Sequence, residues 1–115
     1  MGNTYVVTAT VASGASQSGE LNVGDWTYAG LVMPSEWTTA DITFLVSNKS
    51  GGTFVPLYDD GGIEVTVSAS QGTAVGLANA ALALAPWRYV KLRSGTSASA
   101  VNQAGDRTIE VVLKA

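Results

Sequence analysis

The chain has 115 residues, enough for one domain with its own core and too few for two. Apolar residues make up 46% and charged residues 13%, the reverse of the balance expected for a disordered chain. Cysteine and histidine are absent, which excludes disulfides, thiol nucleophiles, Cys/His zinc sites and catalysis by a histidine base. A net charge of −3 without a basic tract argues against nucleic-acid binding. No apolar run is long enough to cross a membrane, so we expect no membrane partner.

Alternation of apolar and polar residues with a period of two predicts β-strands that have one packed face and one wetter face. In chain order these runs are Tyr5–Val11, Ile42–Ser47, Thr53–Leu57, Ile63–Ser68, Arg88–Arg93 and Thr108–Leu113. Turn-forming residues separate the runs at Ser13–Gly19, Asn48–Gly52, Asp59–Gly62, Ser94–Thr96 and Ala104–Asp106. This spacing predicts eight or nine short strands in a single domain, residues 1–115, folded as an all-β antiparallel sandwich of jelly-roll type.

The stretch from Gly76 to Ala85 breaks this pattern because it is rich in alanine. Alanine favours a helix, but Pro86 limits its length and isolated helices this short are marginal. We therefore expect one helical turn, Asn79–Leu82, crossing an end of the sandwich. The simplest interpretation of this stretch is a connection that covers the core.

The N-terminal strand, Asn3–Val11 within residues 1–14, has two interpretations. It is either an arm that pairs with a neighbouring molecule by β-augmentation, or a strand that completes its own sheet.

Acidic residues offer little chemistry. Asp59 and Asp60, with Glu64 nearby, carry oxygen ligands of the kind that calcium prefers, but they lack the alternating spacing of an EF-hand loop. Asp followed by Gly beside a strand is first of all a turn. No pair of carboxylates can be placed across a cleft from the sequence. We expect no catalytic residue, no metal and no cofactor, and we predict that the protein is not an enzyme.

Aromatic side chains are the remaining candidates for a ligand site or an interface. Trp26, Trp37, Tyr58 and Trp87 are suited to stacking on a glycan or anchoring a protein partner. The competing interpretation is that these rings close the ends of the core, since tryptophan is highly buried on average.

Arg93 is a candidate for a different reason. It shares one strand face with Tyr89 and Lys91, whereas Val90 and Leu92 share the other. Burial of that polar face requires partners for its charges. We favour an intramolecular pair between Arg93 and an acid such as Asp41 or Asp106, and the alternative is contact with another subunit.

Two patches of sequence carry motifs in a fixed order. The first patch comprises GLVMPSEW (30–37), ADITFLVS (40–47) and GGTFVPLYD (51–59). The second comprises WRYVKLRSGT (87–96), VNQ (101–103) and DRTI (106–109). The ordered set covers most of residues 15 to 113, and it resembles small virion proteins of tailed phages, in particular capsid decoration, or cement, proteins. The same patches resemble, more loosely, discoidin-like sandwiches of the galactose-binding type, which implies an eight-stranded jelly roll but not sugar binding.

The phage resemblance implies a protein on the outer surface of the capsid, assembled in the host cytoplasm and bound to the major capsid protein. It also implies a homo-oligomer, with a trimer at capsid three-fold positions favoured. The absence of cysteine fits assembly in a reducing cytoplasm. Two alternatives remain: a glycan-binding β-sandwich module, with Trp26, Trp37 or Tyr58 stacking beside Asp59 or Asp60, and a tail or head–tail connector component.

Overall fold

The computed structural model describes residues 3–115 and shows two β-sheets with one short helix between strands. The elements are β1 (Thr4–Val11), β2 (Leu21–Asn22), β3 (Thr27–Val32), β4 (Ile42–Ser47), β5 (Val55–Pro56), β6 (Thr66–Val67), β7 (Ala74–Gly76), α1 (Asn79–Leu84), β8 (Tyr89–Ser94) and β9 (Arg107–Lys114). One sheet has the order β1-β9-β3-β7, and the other has the order β2-β8-β4-β5, with β6 also paired to β4. All strand pairings are antiparallel.

The pairing pattern is that of a long hairpin rolled into a sandwich. Strand β1 pairs with β9, β2 with β8, β3 with β7 and β4 with β6, so partners lie symmetrically about the middle of the chain. Successive pairs alternate between the two sheets, which adds the contacts of β3 with β9 and of β4 with β8. This is the double-sheet arrangement of a jelly roll. The predicted all-β sandwich is confirmed.

Strand β4 departs from the expected alternation of burial. Ile42, Phe44 and Val46 lie in the core, as predicted, but the residues that alternate with them, Thr43, Leu45 and Ser47, are buried as well. The outer face of this sheet is covered, because the Phe54 ring lies under Lys91 Nζ at 4.6 Å and the Glu64 side chain reaches Arg93. The expectation of a wetter face on β4 is therefore wrong.

The run Ile63–Ser68 forms a shorter strand than predicted. Only Thr66 and Val67 pair with β4, and Ile63 is 68% exposed instead of packed with Val65 and Val67. Ile63 closes the turn that begins at Asp59, since the Asp59 amide donates to the Ile63 carbonyl at 2.9 Å. Because Ile63 belongs to the turn and not to the strand, its side chain does not point into the core with those of Val65 and Val67.

Helix α1 is longer than the single turn predicted. It covers Asn79–Leu84, and it buries Ala80 and Leu84 in the core while Leu82 points outward and is 79% exposed. Ala80 and Leu84 are four residues apart and therefore share one helix face. The interpretation of this stretch as a core-covering connection agrees with this placement. Among the described residues no helix is long and apolar enough to span a membrane.

Strand β1 completes its own sheet. All eight of its residues pair with β9 in one unbroken register, from Thr4 opposite Lys114 to Val11 opposite Arg107. Of the two interpretations of the N-terminal strand, the structure supports this one for residues 4–11; Met1 and Gly2 lie outside the described residues. Strand β1 is an edge strand of its sheet, with β9 as its neighbour on the inner side.

Candidate functional site

A concave surface lies between helix α1 and residues 55–67, which we call the β5–β6 hairpin. This surface, the helix groove, has a volume of about 580 Å³. Its apolar lining includes Tyr58, Leu82 and Trp87, and its polar lining includes Asp59, Asp60 and Asn79. A smaller hollow of about 290 Å³ lies beside it, shares Asp59 and Asn79, and is lined also by Ile63.

The hairpin turn positions one wall of the helix groove. Asp59 Oδ1 accepts hydrogen bonds from the Gly61 amide at 2.9 Å and the Ile63 amide at 3.0 Å. Gly62 has a φ of +81°, a conformation that L side chains rarely adopt. Asp59 therefore acts as the turn residue that its sequence context predicts. Of the two carboxylates, that of Asp60 has no such role in the turn.

Three large apolar side chains are exposed around this groove and the adjoining hollow. Tyr58 is 49% exposed, and Leu82 and Ile63 are more exposed still. They come from three different local structures: the segment just after β5, the outer face of α1 and the β5–β6 turn. Apolar side chains clustered in this way, with acidic residues at the rim, are typical of a surface that binds a ligand or a partner.

The structure brings together two of the aromatic candidates and separates the other two. Tyr58 and Trp87 both line the helix groove. Trp37 is buried at 6% exposure, and its Nε1 donates to the Ala40 carbonyl at 3.0 Å, so its ring packs in the core instead of forming an exposed platform. Trp26 is half-buried and stacks on Tyr5, with ring centroids 5.3 Å apart.

Arg93 is buried, and its partner is not one of the acids that the sequence suggested. Its Nη2 donates to Glu64 Oε2 and its Nε donates to Thr43 Oγ1 at 3.0 Å. Asp106 instead accepts a hydrogen bond from the Ser13 amide at 2.8 Å, and Asp41 is exposed. The predicted intramolecular pair exists, but the identification of Asp41 or Asp106 as the partner is wrong.

Glu64 lies two residues before Thr66, which pairs with Thr43 of strand β4. Strand β4 places Thr43 opposite Arg93 on one side and opposite Thr66 on the other. Glu64 also accepts hydrogen bonds from the Ser97 amide, at 3.1 and 3.2 Å to its two oxygens. These contacts join β8, β4 and the hairpin that carries Glu64. Arg93 is therefore part of a buried hydrogen-bonded group within the fold.

A second buried polar residue, Gln103, was not identified from the sequence. Its Oε1 accepts from the Thr38 amide at 2.8 Å, and its Nε2 donates to the Thr38 carbonyl at 3.0 Å and to Ser94 Oγ at 2.7 Å. These bonds fix the long connection between β3 and β4. No sequence pattern distinguishes this glutamine from a surface one, because Thr38, which it binds twice, lies 65 residues away in the chain.

Metal-ligating side chains do not cluster in the part of the chain that the structure describes: no group of three or more Asp, Glu, His or Cys could hold an ion there. What the helix groove offers chemically is an exposed phenol ring, the ring of Trp87, carboxylates and the amide of Asn79.

No protein-family model matches this chain, and no curated protein matches it. Among solved structures it is similar to the crystal structure of the SPBc2 prophage-derived protein YomS, with a TM-score of 0.62 and 14% sequence identity. The alignment covers 100% of this chain and 96% of that chain, so the likeness extends over both from end to end. At this identity, it is the fold that the two proteins share.

Proposed function

We propose that this chain is a structural protein of a tailed-phage virion, and that it acts as a capsid decoration protein. In this role it binds the outer surface of the major capsid protein lattice and stabilises the head by adding buried interface. The observation that carries the proposal is the end-to-end likeness in fold to a prophage-derived protein. The ordered motifs around residues 30–59 and 87–109, which resemble virion proteins, support the same assignment.

The architecture suits a role in which surfaces matter and catalysis does not. The core is continuous and apolar, with residues such as Phe44, Leu92 and Ile109 fully buried. Burial of this extent stabilises the domain without a metal or a disulfide. We therefore propose a non-enzymatic protein whose partners are the major capsid protein and further copies of itself. Specific protein contacts of this kind bury more than about 1,000 Å².

The copy number in purified particles tests this proposal directly. Quantitative mass spectrometry against the major capsid protein is expected to show a ratio of one or a simple fraction of one, because a decoration protein follows the capsid lattice. A handful of copies per particle would support a tail or connector component instead. Complete absence from particles would overturn the virion assignment.

A glycan-binding module is the second candidate, and the helix groove is the observation that favours it. Tyr58 presents an exposed ring beside Asp60 and Asn79, with Trp87 in the same groove. Sugar rings stack on aromatic faces while carboxylates and amides bind their hydroxyls. The sequence offered Trp26, Trp37 or Tyr58 as the platform for this candidate. Of these three, Tyr58 lines the groove, and Trp87 lies there with it.

A matched pair of variants tests this second candidate. Tyr58→Phe retains the ring and Tyr58→Ala removes it. If the groove binds glycans, a saccharide panel reveals a ligand whose affinity falls for Tyr58→Ala and is kept by Tyr58→Phe. The same ligand is expected to shift the tryptophan emission through Trp87. Failure of the whole panel to bind the wild-type chain would contradict this candidate and leave the virion assignment in place.

A further inference from the structure

The four edges of the two sheets are not equally protected against pairing with another chain. Strands β2, β5 and β6 have two residues each, and β5 contains Pro56, which lacks an amide donor. Strand β7 has three residues. Strand β1, in contrast, has eight residues and forms the remaining edge. Short edges and prolines are devices that prevent edge-to-edge association, and β1 has neither.

The sequence of β1 lacks the other protective devices too. TYVVTATV contains no charged residue, proline or glycine, and its register with β9 has no bulge. Part of the edge is approached by the chain after β1, since Val11 forms a bridge with Ser18 and a hollow lies between Thr8–Thr10 and Gly19–Leu21. The open part of the edge is therefore Thr4–Val7.

The hydrogen-bond pattern identifies which backbone groups this edge presents. The Ala115 amide donates to the Asn3 carbonyl at 2.9 Å, so Asn3 faces β9. In an antiparallel ladder, alternate residues direct both N–H and C=O to the same neighbour. Tyr5 and Val7 therefore bond to β9, whereas Thr4 and Val6 direct their N–H and C=O groups away from the sheet.

We propose that the β1 edge pairs with the β1 edge of a second copy of this chain, antiparallel and about a two-fold axis at Tyr5. In this register Thr4 of each copy bonds to Val6 of the other, which satisfies all four outward N–H and C=O groups on each strand. The two four-stranded sheets then become one continuous sheet of eight strands.

Three features on the surface fit a second copy as the occupant. The strand is uncharged, so antiparallel self-pairing brings no like charges face to face. Tyr5 and Val6 are exposed at 52% and 49%, and the pairing covers both. The two Tyr5 residues form the narrow pair at the axis, where cross-strand aromatic contacts are favourable, and each Tyr5 ring is already stacked on Trp26.

This pairing does not depend on the virion role, and it differs from the trimer that the phage resemblance implies. An isologous edge contact closes after two copies and cannot by itself form a three-fold ring. Sedimentation velocity on the full chain is therefore expected to show a concentration-dependent dimer.

Two substitutions at Val6 disrupt the pairing in different ways. Val6→Lys places a charge beside the axis, and Val6→Pro removes the outward amide without removing a bond to β9. Both are expected to raise the dimer dissociation constant at least about tenfold, because the proline loses hydrogen bonds across the edge and the lysines of the two copies repel each other. Val32→Lys is the matched control, since Val32 is exposed on β3 but that strand is paired on both sides.

Amide hydrogen exchange provides a readout that reports the edge itself. In the dimer the amides of Thr4 and Val6 are expected to be protected, and this protection is lost on dilution. The amides of Tyr5 and Val7 stay protected at every concentration because they bond to β9. A wild-type chain that remains monomeric at the highest concentration, a trimer, or a dimer that persists in both Val6 variants would overturn the proposal.

Discussion

Arg93 and Glu64 form an ion pair that joins strand β8 to the β5–β6 hairpin, with Arg93 Nη2 2.5 Å from Glu64 Oε2. Both side chains are largely shielded, at 8% and 13% exposure. Thr43 Oγ1 accepts from Arg93 and donates to the Gly95 carbonyl at 2.7 Å, so the pair belongs to a wider hydrogen-bonded group. Removal of one partner would leave the other charge poorly solvated.

Arg93→Ala is therefore expected to lower the free energy of unfolding by about 3–5 kcal/mol, the cost of breaking a buried ion pair on one side. Chemical denaturation measures this directly. Arg88→Ala is the control, because Arg88 is exposed and its side chain bonds to Asn22 Oδ1, at 3.2 Å, and to no other side chain among the described residues. Its loss is expected to cost less than about 1 kcal/mol. Equal effects of the two substitutions would contradict a structural role for the buried pair.

Phe44→Ala is expected to cost about 3–5 kcal/mol of unfolding free energy, because the ring is fully buried between the sheets. Phe54 is a useful comparison, since it lies on the outer face of the same sheet under Lys91. Phe54→Ala is expected to cost clearly less. A loss below about 1 kcal/mol for Phe44→Ala would show that the Phe44 side chain does not face the core.

Tyr28→Phe is expected to stabilise the protein by about 1 kcal/mol, because the buried Tyr28 hydroxyl has no hydrogen-bond partner among the described residues. Burial also raises the pKa of Tyr28 far above its ordinary value of 10.0. Above pH 10.0 the unfolded chain releases the Tyr28 proton and the folded chain keeps it, so the wild-type unfolding free energy falls as the pH rises.

The predicted fall of the unfolding free energy at alkaline pH is tested by comparing Tyr28→Phe with the wild type. Denaturation of Tyr28→Phe across the same pH range is expected to show a smaller decline than the wild type. Identical profiles for the wild type and Tyr28→Phe would show that Tyr28 ionises freely in the folded state.

Glu20 predicts a pH-dependent link between the segment before β2 and the β4–β5 turn. The Gly51 amide donates to its Oε1 at 2.8 Å and Ser50 Oγ donates to its Oε2 at 2.6 Å. The Gly51 amide first, then the Ser50 hydroxyl and the charge of Lys91, hold the pKa of Glu20 below its usual 4.5, against the opposing effect of desolvation. The link is complete above pH 4.5 and is lost as the pH falls through the lowered pKa.

An NMR titration of the Gly51 amide measures that transition. The midpoint is expected below pH 4.5, and Glu20→Gln is expected to abolish it while retaining an oxygen acceptor. A midpoint at or above the ordinary value would contradict the contribution of these hydrogen bonds.

Strand β3 shows why part of the fold could not be predicted from periodicity. Its register with β9 shifts between Tyr28 and Gly30, which is a β-bulge at Ala29. Tyr28 and Leu31 are consequently both buried although they are three residues apart. An extra residue in the strand breaks the period of two, so the alternation that identifies β4, β8 and β9 is missing here.

The candidate site was only partly predictable, for a related reason. Tyr58 and Asp59 are neighbours in sequence, so their association with a turn could be inferred. Trp87 and Leu82 join them only because helix α1 crosses beside the hairpin. The sequence does not give the distances between separate motifs, so the packing of the sheets decided where the five candidates lie. Trp37 is in the core, Trp26 is stacked on Tyr5, Tyr58 and Trp87 line the helix groove, and Arg93 is in a buried ion pair.

Local patterns in the sequence determined the class of fold, the antiparallel strands with clean alternation, the turn at Asp59–Gly62 and the short helix before Pro86. These features depend on residues that are close in the chain, and backbone conformation and amphipathic periodicity act over that range. Only the tertiary structure decided that Glu64 pairs with Arg93, that Trp37 is buried, and that β1 is left with an open edge. Each depends on which strands become neighbours when the hairpin rolls into two sheets, and that choice is made by the burial of the whole core.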